Sequence, residues 1–177
     1  MRPFTIFVVT ACLALLCGCH TKQNAPDAGM AESQAAPQAK LSGRPVVGAF
    51  PDATEIRLFV ETDIRRNGTR VFVESKGRVL TMGQRKAFEA TLKIEPIPDV
   101  LAACFVPHHF FAYYDAKGKK LGEISICFCC AGAAVQGASG IEMKKDQWLS
   151  ADFGELKKFV RSINLPTDVQ CGASQSD

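Results

Sequence analysis

Cys104-Phe-Val-Pro-His-His-Phe-Phe-Ala-Tyr-Tyr-Asp-Ala-Lys-Gly-Lys-Lys-Leu-Gly-Glu-Ile-Ser-Ile-Cys-Phe-Cys-Cys130 is the stretch that decides the fold. His108 to Tyr114 is rich in aromatics and reads as a strand. Leu121 to Cys129 alternates, with Ile124, Ile126 and Phe128 on one face, and reads as its partner. Asp115-Ala-Lys-Gly118 between them has the residue types of a tight turn. If Asp115 pairs with Gly118, the register sets Cys104 opposite Cys129, with Pro107 disturbing the ladder between them. Alternation assigns Ile124, Ile126, Phe128 and Cys130 to the core face, and Glu123, Ser125, Cys127 and Cys129 to the other.

Upstream, Glu55-Ile-Arg-Leu-Phe-Val-Glu61 places Ile56, Leu58 and Val60 on one face. Asn67-Gly68 is a strong hairpin signal, read as a turn with positive φ at both residues, and Arg70 to Glu74 returns as the second strand. Arg78 to Leu80 is a third short strand. Thr81-x-x-Gln84 is a capping box for a helix to about Leu92, which buries Phe88 and Leu92. Pro96 and Pro98 force extended chain beyond it.

Downstream, Ala131 to Gly140 is small and glycine-rich and reads as a loop. Trp148 reads as a core residue beside the helix that follows. Asp152-x-x-Glu155 is a second capping box, and Phe153, Leu156, Val160 and Ile163 line one face of a helix that Asn164 and Pro166 stop. The expected fold is α+β: an antiparallel sheet built from two β-hairpins, packed with two amphipathic helices. It forms a single domain over residues 45–171, with a tail at 172–177.

The amino terminus sets the compartment. Arg2 is a short basic start, and Phe4 to Leu16 is apolar but shorter than the ~20 residues a membrane span needs. Leu16-Cys17-Gly18-Cys19 has the pattern of a lipobox, so residues 1–18 read as a lipoprotein signal peptide and Cys19 as the lipidated residue. His20 follows Cys19 where an inner-membrane retention signal would have Asp, which points to the outer membrane, facing the periplasm. Residues 19–44 are rich in Ala, Gln, Pro, Ser and Gly and read as a disordered tether. The partner expected from these features is the membrane, through the lipid; no protein partner is named by them.

Arg2 is the only charged residue before Cys19, so the exported chain carries 20 basic against 18 acidic residues. That balance, with no basic stripe, argues against nucleic acid. There is no Gly-x-Ser-x-Gly, His-Glu-x-x-His or phosphate loop in the sequence, and a non-enzymatic protein is the leading expectation.

Cys104, Cys127, Cys129, Cys130 and Cys171 remain after the lipobox, an odd number in a compartment where disulfides persist. Cys127 and Cys129 at i, i+2 on a strand stand ~6.6 Å apart at Cα, near the long limit for a disulfide. Bonding Cys129 to Cys130 needs a distorted peptide. Cys104 with Cys129 or Cys130 is the least strained pairing, and Cys171 can reach whichever remains. Three uses of the cluster stay open. It staples the hairpin; or Cys104, His109, Cys127 and Cys129 hold zinc or copper; or a thiol beside His108 or His109 does redox chemistry. No Cys-x-x-Cys opens a helix, as it does in thioredoxin-like proteins.

The segments Cys104-Phe-x-Pro-His-His-x-Phe and Ile126-Cys-Phe-Cys-Cys130 resemble a family of small exported bacterial proteins and lipoproteins. Members carry a Cys-x-x-Pro-x-His segment, a glycine-containing hairpin and an Ile-Cys-Phe-x-Cys strand. The likeness runs from Leu80 to Cys130 and touches Cys104, His109, Cys127 and either Cys129 or Cys130. It implies an organised site on an exported protein and names no activity.

Overall fold

The computed structural model of the protein describes residues 43–99 and 104–171. Its elements in chain order are β1 (Arg44–Pro45), β2 (Glu55–Ile64), β3 (Arg70–Phe72), β4 (Arg78–Val79), α1 (Met82–Thr91), β5 (Leu92–Pro96), β6 (His109–Tyr114), β7 (Lys120–Cys127), β8 (Gly132–Gly137), β9 (Gln147–Ala151) and α2 (Phe153–Ser162). The expected signal peptide, Cys19, nearly all of the expected tether and the expected 172–177 tail lie outside the described residues. Arg44, placed in the tether by its sequence, is the first strand residue.

The fold is α+β with every strand pair antiparallel. It is more than one sheet of two hairpins. A six-stranded sheet runs β3-β2-β6-β7-β8, with β4 also on β2, and a separate three-stranded sheet runs β1-β5-β9. The alternation of β2 does what its pattern dictates: Ile56, Leu58 and Val60 are buried in one core with Phe111, Tyr113, Ile124 and Ile126 from β6 and β7. The helices close that face. Phe88 of α1 stacks on Phe111, ring centroids 3.6 Å apart, and Leu156 and Val160 of α2 enter the same core. Burying such a ring is worth roughly 2–3 kcal/mol of transfer free energy.

Capping decides where the helices begin and end. Thr81 and Gln84 form the complete reciprocal box. At α2 only half of the expected box forms: Asp152 accepts from the Glu155 amide, while the Asp152 amide donates to Thr91 O and Glu155 turns to Lys158. The cap amide already has a partner, so the reciprocal arm has nothing to bond. Asn164, at φ 58°, ends α2 with its amide on Arg161 O and the Leu165 amide on Val160 O. That is the left-handed exit that satisfies the last carbonyls.

Several expectations are corrected. Leu92 is buried, but as the first residue of β5, because the chain passes from α1 into β5 without a loop. The 131–140 segment contains β8, paired with β7 from Cys127↔Gly132 to Gly122↔Gly137. Its small residues hide the strand pattern but suit the close approach to β7: a Cβ on Gly137 would lie 2.5 Å from Leu121 O. At Asn67-Gly68 only Gly68 has positive φ; the turn closes with Gly68 N–H to Arg65 O and Arg65 N–H to Thr69 O. Asp115–Gly118 closes the same way, with positive φ at Gly118. This is a type I turn with a glycine bulge.

That bulge, and a second register shift at Tyr113/Tyr114, move the β6–β7 pairing by two residues, so His109 faces Ile126. The parity is unchanged and the faces of β7 stand as expected. The pairing of Cys104 opposite Cys129 is lost, because β6 begins only at His109.

Candidate functional site

The cysteines converge where β7 ends. Cys127 is the last residue of β7, and residues 128–131 form a turn into β8. Cys129 is bonded to Cys171, with Cα atoms 5.3 Å apart. The expected Cys104 pairing is therefore corrected: Cys104 is exposed and unbonded, and Cys171 arrives from beyond α2. The carboxy-terminal segment is also held by the Gln170 side-chain amide donating to Thr62 O and by Arg161 on Asp168. Cys171 is thus delivered to the turn by tertiary packing that strand spacing does not encode.

Cys127 and Cys130 are unbonded and their sulfurs stand 2.6 Å apart. Cys127 is buried and Cys130 half-buried. Strand alternation carried through residue 130 sets these two on opposite faces. The strand stops at Cys127, and a turn brings residues three apart together. The Cys-x-x-Cys spacing in 127–130 was the available signal. Burial, first, and then the adjacent Cys127 thiol push the Cys130 thiol up to about 11; Cys104 acts on it in the same direction, so the 104 segment lies close by. A Cβ on Gly132 would meet the Phe105 ring at 2.7 Å, which places Phe105 over the start of β8.

The two histidines part company. His109 is on the core face, ring to ring with Phe128 at 4.7 Å, and Nε2 donates to Pro166 O at 2.7 Å. A carbonyl can only accept, so Nε2 carries the proton and Nδ1 does not; Nδ1 is buried without a partner. Burial is the main cause that lowers the His109 pKa to about 4. A neutral ring on the core face supplies no charge to a thiol at neutral pH.

His108 belongs to the opposite face. The Glu61 amide donates to His108 O, just before β6 begins at His109. Its Nδ1 is 3.4 Å from Glu61 Oε1, and Arg70 Nε is 3.0 Å from Glu61 Oε2. Neither contact is aligned for a hydrogen bond; the half-exposed Arg70 guanidinium faces the buried Glu61 carboxylate as an ion pair.

The expected zinc or copper set of Cys104, His109, Cys127 and Cys129 is not brought together. Cys129 is in a disulfide, and His109 faces the core and Pro166 O. Among the described residues no three His, Cys, Asp or Glu side chains are grouped to hold a metal ion. Nor is any helix among them long and apolar enough to cross a membrane.

A second feature escaped the sequence. Trp148 lines an open cleft of about 320 Å³ with Gly43, Glu95, Pro96, Ser150 and Phe153. It is half-buried and pairs across strands with Glu95, whose Oε1 has no hydrogen-bond partner. Trp148 is therefore a cleft residue of β9, sharing the cleft with Phe153 of α2, rather than a residue of the main core.

Comparison of the chain with family models, with curated proteins and with solved structures finds no match.

Proposed function

We propose that this is a lipid-anchored envelope protein. Its domain has a binding or interaction role, presented from the outer membrane toward the periplasm on a tether that follows a lipidated Cys19. The Cys129–Cys171 bond is the observation that carries the reading. Disulfides of this kind persist outside the reducing cytosol, in the compartment to which the Leu16-Cys17-Gly18-Cys19 pattern would send the chain. Several acyl chains on one residue give stable anchoring where a single chain does not. The likeness of the 104–130 hairpin to small exported bacterial proteins points the same way.

The test is mass spectrometry of the amino-terminal peptide after expression in a Gram-negative cell, with fractionation of wild type and Cys19→Ser. The expected result is an acylated peptide that begins at Cys19, in the outer-membrane fraction, and no acylated form of the variant. An amino terminus at Met1, or an unlipidated wild type in the soluble fraction, overturns the reading.

A further inference from the structure

We propose that Cys127 and Cys130 are a reversible dithiol–disulfide pair that exchanges with thiols and disulfides of the envelope, distinct from the structural Cys129–Cys171 bond. The geometry of the turn is the reason. At 2.6 Å the two sulfurs stand nearer to the ~2.05 Å of a disulfide than unbonded sulfurs rest, so the turn presents the two side chains to each other for bonding. Cys129 between them is bonded to Cys171, and this holds the middle of the turn in place. The pair can open and close without the turn unfolding.

The two bonds differ in what they do for the fold. Cys129–Cys171 spans a sequence separation of 42, for which the chain-entropy relation gives a large constraint on the unfolded chain. Cys127–Cys130 would close a loop of four residues, whose constraint is much smaller. A bond that adds little to folding and joins preset sulfurs is suited to switching.

Exposure orders the chemistry. Cys130 is the more accessible sulfur and Cys127 is buried. With a disulfide RSSR as oxidant, the Cys130 thiolate attacks one sulfur and the first RS⁻ leaves and takes up a proton. The Cys127 sulfur then attacks the Cys130 mixed disulfide and the second RSH leaves. Two thiols and RSSR become one intrachain disulfide and two RSH; two electrons and two protons pass to the oxidant. The reverse needs a thiol reductant. Cys104, exposed at the same end of the sheet, is not required for either step. The proposal goes beyond the anchoring read above and uses export only to supply its exchange partners.

The test uses the full-length protein purified, with detergent, from whichever fraction of the exporting cells holds it. It is equilibrated over a series of reduced-to-oxidised glutathione ratios, quenched with acid, alkylated under denaturing conditions and mapped by mass. The expected result is one transition in which labels mapped to residues 104–171 rise from one to three. The new labels fall on Cys127 and Cys130, while the Cys129–Cys171 cross-link stays intact throughout. Cys104→Ser keeps the transition, from none to two. Cys127→Ser and Cys130→Ser abolish it while keeping the cross-link, which shows that they fold. A label count with no step, a step that disappears in Cys104→Ser, or loss of both disulfides together overturns the proposal. So does a count fixed at three with a thiol-bound metal ion in the native protein. Lipidation is read separately, so anchoring can fail without the pair failing, and the reverse.

Discussion

Acid should unfold this domain through His109 in particular. The folded protein holds the ring neutral at a pKa of about 4, mainly because it is buried, against an ordinary value of 6.5. The neighbouring titratable groups are His108, which lowers it further, and Asp168, which raises it. As pH falls below 6.5 the unfolded chain takes up the proton first, so stability is complete above that pH. It drains away down to about 4, where the folded state protonates too and the loss stops. One pKa unit is worth 1.36 kcal/mol, so the whole window costs about 3 kcal/mol, and moving from pH 7 to 4.5 costs about 2 kcal/mol. His109→Gln retains an amide donor for Pro166 O and cannot titrate. The assay is urea unfolding of both proteins at pH 7 and 4.5, with the disulfide intact. Carboxylates contribute equally to both proteins, so wild type should lose about 2 kcal/mol more than the variant. Equal losses would refute the reasoning.

Other perturbations should follow the same logic. Replacing Cys129 and Cys171 together by Ser removes a constraint over a sequence separation of 42, and should lower unfolding free energy by about 4 kcal/mol, as read by denaturant midpoint. Phe88→Ala removes the ring stacked on Phe111 and should cost about 3–5 kcal/mol in the same assay, with Phe88→Leu costing less. With the Cys127–Cys130 pair reduced, alkylation of Cys130 should still accelerate about tenfold per pH unit between pH 8 and 10, since its thiol is pushed up to about 11. A rate that levels off by pH 9 contradicts the burial that sets the shift. Arg85→Ala should destabilise by about 2 kcal/mol, because Arg85 joins Glu89 to the carbonyls of Ala53 and Phe50 in a part-buried network.

What was legible in the sequence divides along physical lines. Ile56, Leu58 and Val60 declare β2 because one face is buried and period two is enforced there. Thr81 and Gln84 declare α1 because a cap is a local bond. The second sheet was hidden: β1 has two residues, β5 starts on the last turn of a helix, and β9 meets β5 only through the tertiary fold. β8 was hidden because glycine and alanine suit close approach yet carry no strand pattern. The hairpin register was displaced by two bulges, which depend on backbone angles at Gly118 and at the Tyr113/Tyr114 step. The convergence of cysteines at the end of β7 was readable. The partner of Cys129 was not, since Cys171 is positioned by the left-handed exit at Asn164 and the packing of α2. The Cys127–Cys130 spacing was in plain view, but reading strand alternation past the end of β7 separated two side chains that a turn joins.

The most direct test of the account is an intact-mass thiol count on native, unreduced protein from the envelope, alkylated under denaturing conditions and then mapped. The division of the cluster into one structural bond and one switchable pair predicts species with one or three labels, and none on Cys129 or Cys171. Labels on Cys129 and Cys171 in native protein, or a Cys104 cross-link to any other cysteine, would contradict it.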